Sequence, residues 1–230
     1  MNSAYLETAL AAATASPPVR SQGPLPCRAL ISGPFSPETL RQQLSSLAVP
    51  ARTVALLTGR AGDLSPVDAV VVRWAHARAQ ALVGTLRAGD ARVATYRPDV
   101  AALTGLGPGL TPTGDDLLIG MAAMARRLQS TGLVEPRAAH AFATALTGLA
   151  STPTTSTTSV ALALLENASK GLYPSVLAGV VEVLGNAEAE PVTIEEQVAL
   201  LSAVGAHSGA DLMAGVLALV LGVVFPKEAR

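Results

Sequence analysis

The spacing of apolar and polar positions changes character near residue 100. Before it, short apolar runs alternate with stretches rich in Gly and Pro. Residues 5–15 predict a short helix, stopped by Ser16-Pro17-Pro18, and residues 27–32 read as a strand within the Gly- and Pro-rich stretch 19–34. Ser36-Pro37-Glu38 places Ser at an N-cap and Pro at the first helical position, predicting a helix to about Leu47. The apolar run 53–58, bounded by Pro50 and Gly59, predicts a buried strand. Ser65-Pro66 opens a longer helix to Arg87, and residues 93–96 predict one more strand. Beyond residue 100 the period becomes helical: apolar residues at 117, 118, 121, 124, 125 and 128 form one broad stripe. Helices are predicted over 114–130, 135–150, 159–170, 174–185, 194–204 and 209–224, with Gly132, Pro153, Gly171, Gly185, Pro191 and Gly205 between them. Connections this short favour packed neighbours. The expected fold is α+β, with a mixed N-terminal part holding a small sheet (1–100) and a mainly helical C-terminal half (101–230), together one compact unit.

The chain is organised around residues 105–127. A loop punctuated by Gly105, Gly107, Pro108, Gly109 and Pro112 feeds a helix, with Thr113 at the expected N-cap. Asp115 and Asp116 fall in its first turn, beside the positive end of the helix dipole. The pattern returns 95 residues later, where Ser208-Gly209-Ala210-Asp211-Leu212-Met213-Ala214-Gly215 matches Thr113-Gly114-Asp115-Asp116-Leu117-Leu118-Ile119-Gly120. In a helix interior, Gly120 and Gly215 each cost roughly 1 kcal/mol against Ala. Their presence in both copies implies that each helix is approached closely, by another backbone or by a ligand. The two helix starts therefore read as halves of one site.

Several residue types there bear on chemistry. The N–H and hydroxyl groups of Gly107, Gly109, Leu110, Thr111, Thr113, Gly114, Ser208 and Gly209 suit a small anionic substrate. Asp115 and Asp116 repel a bare anion unless a cation sits between. They suit magnesium, held through one or two oxygens and waters, or a substrate amide or ammonium. A capping box accounts for Asp211 as well as a ligand does, but capping explains neither Asp115 beside Asp116 nor the glycines at 105, 107 and 109. His207 reads as a general acid or base, or as a loop histidine satisfied locally. His76 and His140, in alanine-rich helical stretches, read as structural. The hydroxyl-rich stretch 151–159 is either a solvated connector whose last hydroxyls cap the next helix, or a row of donors facing a polar ligand. There is no Gly-x-Ser-x-Gly elbow, no Walker loop with its Lys and no His-Glu-x-x-His, and Gly107-Pro108-Gly109 lacks the third glycine of a dinucleotide fingerprint.

Composition narrows the partners. A formal net charge of −1 leaves no electrostatic footprint for nucleic acid or an anionic membrane. With 50% hydrophobic and 14% charged residues, much of the chain must be buried; with 3% aromatics, stacking platforms for bases or sugars are scarce. The single cysteine, Cys27, excludes an internal disulfide, fits a reducing cytoplasm and reads as an ordinary small residue. The longest apolar run, 212–225, holds two glycines and is too short to span a bilayer, so it predicts a buried core helix. The alanine-rich start lacks the basic flank and apolar run of a signal peptide.

The run Leu106-Gly107-Pro108-Gly109-Leu110-Thr111-Pro112-Thr113-Gly114-Asp115-Asp116 resembles the hallmark of a bacterial family that includes the AllH-type subunit of oxamate carbamoyltransferase, from anaerobic allantoin degradation. Ser208-Gly209-Ala210-Asp211-Leu212 with Gly215 is similar to its C-terminal block. Thr157-Thr158, before an apolar helix ending at Gly171, resembles a third block. The resemblance implies a cytoplasmic transferase subunit acting with two others, one similar to acyl-CoA synthetases. Together they exchange a carbamoyl group between oxamate and phosphate, with carbamoyl phosphate as the catabolic product. On that reading Asp115, Asp116, His207 and Asp211 are the candidate catalytic residues. The glycines, Leu110, Thr111, Thr113, Thr157, Thr158, Ser208 and Gly209 line the substrate, and Asp115 with Asp116 would hold magnesium. Two other readings stand beside it: a non-catalytic binding or scaffolding subunit whose motifs are only caps and packing contacts, and a metal-assisted hydrolase.

Overall fold

Proline, serine and glycine set where the helices begin and end. The computed structural model describes residues 26–31, 33–62, 64–147 and 157–226; the helix expected over 5–15 and most of the hydroxyl-rich stretch fall outside them. Helix α1 (Pro37–Ser46) starts as the sequence predicts, the Ser36 hydroxyl accepting from the Thr39 N–H at 3.2 Å. Helix α2 (Ala51–Thr58) follows Pro50 and is closed by Gly59 in the left-handed region, whose N–H reaches the Ala55 carbonyl. Helix α3 (Pro66–Arg87) is capped by Ser65, and α4 (Val93–Leu103) leads into the glycine loop. Then come α5 (Thr113–Ser130), α6 (Pro136–Thr147), α7 (Ser159–Ser169), α8 (Ser175–Val183), α9 (Pro191–Ser202) and α10 (Ser208–Leu219), the last running into a π-helical turn at Val220–Val224.

Two expected strands are helices. Residues 53–58 form most of α2, because a short apolar run between Pro and Gly suits a buried helix as well as a buried strand. Thr53, Leu56 and Leu57 bury one helical face of that run. Residues 93–96 open α4, whose Tyr96, Val100 and Leu103 are buried at helical spacing while Pro98 lies on the exposed side. The sheet is a two-stranded antiparallel pair of β1 (Cys27–Ala29) and β2 (Leu172–Pro174), in the register Cys27↔Pro174 and Ala29↔Leu172. It joins the N-terminal part to the second half of the chain. The α+β class with a mainly helical C-terminal half therefore holds.

Helices α5 and α10 are the centre. Almost every α5 residue from Thr113 to Leu128, and every α10 residue from Gly209 to Leu219, is buried, as befits helices surrounded on all sides. Helix α5 packs against α10, α4, α6, α7 and α8, and α10 against α2, α3 and α9 as well. One continuous core runs from Leu40 to Val220. Arg127 is buried in it, donating from Nη1 to Gly33 O (2.7 Å) and from Nη2 to Pro34 O (2.8 Å), with its guanidinium over the Phe35 ring. Among the described residues no helix is long and apolar enough to cross a membrane.

Candidate functional site at two paired helix starts

The two copies of the motif meet. A Cβ on Gly120 would stand 2.1 Å from the Leu212 carbonyl oxygen, and one on Gly215 would stand 2.2 Å from that of Leu117. The contact is reciprocal: each copy's glycine receives the carbonyl of the other copy's leucine. Of the two close approaches left open by the sequence, a backbone is the one found here. Gly114 and Gly209 are matched in the same way, since an added Cβ would meet the Leu103 and Leu201 carbonyls, each at 1.9 Å. Their N–H groups are bound by Leu106 O and Val204 O, both at 2.9 Å. What these two glycines contribute is a seat for each helix start on the end of the helix before it.

The hydroxyls are not N-caps. The caps of α5 and α10 are Pro112 and His207, which moves Thr113 and Ser208 to the first helical position. The extended backbone of Pro112 starts α5 one residue early, its carbonyl accepting from Asp115 and Asp116 N–H (3.0 and 3.1 Å). The freed hydroxyls cross to the other copy instead. Ser208 Oγ lies 2.6 Å from Thr111 Oγ1, and both hydroxyls act on Asp116, while Thr113 acts on Asp211.

Five buried or half-buried polar groups thus surround the junction, and a sixth comes from outside the motif. Arg52, at the start of α2, donates from Nε to Asp211 Oδ1 (2.6 Å) and from Nη2 to Asp211 Oδ2 (3.2 Å) and Thr113 Oγ1 (2.8 Å). It is the basic group that a pair of facing carboxylates demands. Nothing along the chain marks it, because a single Arg beside an apolar run has no characteristic spacing. Asp68, on α3, stands 3.6 Å from Arg52 Nη1.

The two adjacent aspartates of the motif have different surroundings. Asp115 accepts from the Gly105 N–H (3.1 and 3.2 Å) and the Thr157 hydroxyl (2.5 Å); burial raises its pKa against those two donors. Asp116 is fully buried, and its Oδ2 has no hydrogen-bond partner among the described residues. Burial, then the charge of Asp211, pushes its pKa well above the ordinary carboxylate range, with Ser208 and Thr111 opposing. Burial also raises Asp211, with Arg52 opposing. Among the described residues no three His, Cys, Asp or Glu side chains gather as a metal would require.

The glycine loop lies over the α5 start. Gly107 and Gly109 have φ of +106° and +110°, and a Cβ on Gly107 would stand 2.8 Å from Thr113 Oγ1. Leu110 turns its side chain to solvent (66% exposed) and offers its carbonyl to the Thr158 hydroxyl at 2.5 Å. Thr158 also caps α7, accepting from Ala161 N at 3.1 Å, as a connector's last hydroxyl was expected to do. His207 is exposed beside Asp68 and Asp211. A cleft at the other end of α5, lined by Arg126, Gln129, His140 and Lys170 among others, includes none of these residues.

Residues 103–220, from the end of α4 to the end of α10, match the family model described as oxamate carbamoyltransferase subunit AllH. The chain belongs to the AllH family. The AllH match contains both helix starts, the glycine loop and the Thr157-Thr158 pair, and leaves Arg52 and Asp68 outside it. No curated protein and no solved structure matches the chain.

Proposed function

We propose that this AllH-family chain is a subunit of a carbamoyltransferase-like enzyme of the oxamate and carbamoyl phosphate type, binding its small anionic or carbamoyl substrate where α5 and α10 begin. The observation that carries this reading is the buried Asp116 carboxyl with its unpartnered Oδ2, set between the two helix starts beside Thr111, Ser208 and the Arg52-bound Asp211. Packing alone gives no reason to bury such an oxygen, which costs on the order of 1–3 kcal/mol. A carbamoyl –NH₂ would satisfy it. The hydroxyls and Arg52 would face the negative oxygens, so transfer would be assisted by orientation and charge stabilisation rather than by a protein nucleophile.

The donor set bears on magnesium. Asp115 already has two donors, which leaves Asp116 Oδ2 as the carboxylate oxygen without one. One such oxygen suits a magnesium carried in by phosphate better than a resident ion in a protein cage. His207 is exposed beside Asp68 and Asp211, and a general acid or base role for it is expected from the sequence. The acyl-CoA-synthetase-like partner subunit is expected from the resemblance, and so is a cytoplasmic setting.

Ligand-linked stabilisation tests the reading. Thermal unfolding and calorimetry with oxamate, carbamoyl phosphate and phosphate, each with and without magnesium, should show one of them raising the melting temperature, through a stabilisation of about 2.7 kcal/mol at a hundredfold excess over Kd. Ser208→Ala should weaken that ligand about tenfold, and Asp116→Asn should abolish transfer by the complete enzyme. Transfer left intact by a folded Asp116→Asn protein would remove this carboxyl from the mechanism. No stabilisation by any of the three ligands would favour a scaffolding subunit.

A further inference from the structure

Arg52 is the least explained group at the junction. Its Nε and Nη2 donors are spent on Asp211 and Thr113, which fixes the plane of the guanidinium. Nη1 is different. Its partner is Asp68 Oδ1 at 3.6 Å, longer than a hydrogen bond, although the Arg52 side chain is only 10% exposed. Asp68 does not close the gap because its other oxygen is held elsewhere: Oδ2 accepts from the Ser65 hydroxyl at 2.6 Å, in the cap that starts α3. A nearly buried guanidinium edge thus faces a carboxylate that neutralises it without bonding it. The exposed rim of the site, with His207, lies on that side.

Resting on the substrate-binding reading above, we propose that the Nη1 edge of Arg52 recognises the carboxylate or phosphate oxygen of the substrate, and that Asp68 is a built-in stand-in anion which the substrate displaces. A ligand oxygen at ordinary hydrogen-bond distance from Nη1 satisfies the donor that Asp68 leaves unmet. The capping bond to Ser65 gives Asp68 a partner to keep once displaced. The helix start of α2, outside the region shared with the family model, would then supply the anion-recognising element of this chain.

The test is a binding cycle on the full chain with three probes: oxamate, inorganic phosphate, and oxamide, which replaces the oxamate carboxylate with a neutral amide. Asp68→Asn removes the competing charge and should tighten oxamate about three- to fivefold, the scale of a partly exposed ion pair, while leaving oxamide unchanged. Arg52→Lys should weaken oxamate about tenfold or more, because a lysine lacks the fork that holds Asp211 and presents a second edge at once. In the Arg52→Lys background Asp68→Asn should bring no gain. Phosphate following oxamate supports an edge for oxyanions in general, and oxamate alone responding supports a carboxylate-specific one. If Arg52→Lys does not fold, the oxamate and oxamide affinities of Asp68→Asn decide by themselves. Should the unaltered protein bind oxamate or phosphate, yet Asp68→Asn leave both affinities unchanged or lower, the role of Arg52 falls while the binding site stands. Failure of the unaltered protein to bind either anion removes both.

Discussion

Asp116 shows at the scale of one residue what a buried carboxyl costs this protein. Its carboxyl is buried beside Asp211, and the cation between the two helix starts is bonded to Asp211. The folded state therefore holds the Asp116 proton more tightly than the unfolded chain does. A carboxyl whose pKa is raised on folding costs nothing below the unfolded value. It destabilises progressively as pH rises, until the raised folded value is passed. Asp116→Asn, which mimics the protonated form, should therefore stabilise the protein on the order of 2 kcal/mol near neutral pH. That gain should shrink as pH falls and vanish below the ordinary carboxylate range. Urea unfolding of both proteins between pH 3 and 8 checks this, and a gain that does not vary with pH would mean that folding leaves the pKa of Asp116 unchanged. A variant that is more stable and does not transfer carbamoyl groups marks a residue kept for chemistry.

Among the elements, the crossing of α5 and α10 decides whether a site exists at all. Gly120→Ala or Gly215→Ala puts a methyl about 2 Å from a main-chain carbonyl that cannot swing aside, since Leu212 and Leu117 lie within helices. Each substitution should cost about 3 kcal/mol in chemical unfolding, at the upper end for an overpacked core, and should separate Thr111 from Ser208. The double variant should cost less than the two singles added, because the first methyl already opens the crossing. The close approach was readable in the sequence, because two interior glycines at equal distance from two repeated Asp residues imply one; that a backbone makes it, and reciprocally, is set by the fold. Elements held by turn chemistry were also readable, with α1 and α3 starting at their Ser-Pro pairs. What the sequence hid has physical reasons. The runs at 53–58 and 93–96 are too short for periodicity to separate helix from strand, and β2 is a three-residue strand directly before α8. Thr113 and Ser208 matched the N-cap rule, yet their hydroxyls serve the other copy of the motif, a choice made by tertiary contacts. Arg52 entered the site only through the fold of α2 against α10.

Over the whole molecule, the N-terminal part is more than an appendage to the matched region, because it delivers Arg52 and Asp68 to one face of the α5–α10 pair and closes another. The second closure rests on Arg127. Its charge is buried and its pKa lowered by desolvation, and its bonds to the Gly33 and Pro34 carbonyls fasten the segment between β1 and α1 to α5. From there the Ser36 N–H reaches the Gly185 carbonyl at 2.7 Å, and Arg28 within β1 pairs with Glu182 at 2.6 Å, so the chain from β1 to α1 is joined to both α5 and the α8 region. Arg127→Met keeps the volume of the stem but leaves both carbonyls without their donor, and should destabilise the protein by about 2–3 kcal/mol. The loss should be local before it is global. In native-state hydrogen exchange the Ser36 and β1 amides should lose protection first, while those of α5 and α10 keep theirs. Arg127→Lys, able to reach one carbonyl but not to span two, should fall between. Equal loss of protection in α5 and α10 would mean that the N-terminal part and the paired helices unfold as one unit. The helix pair carrying Asp116 and Asp211 would then have no stability apart from the segment that delivers Arg52.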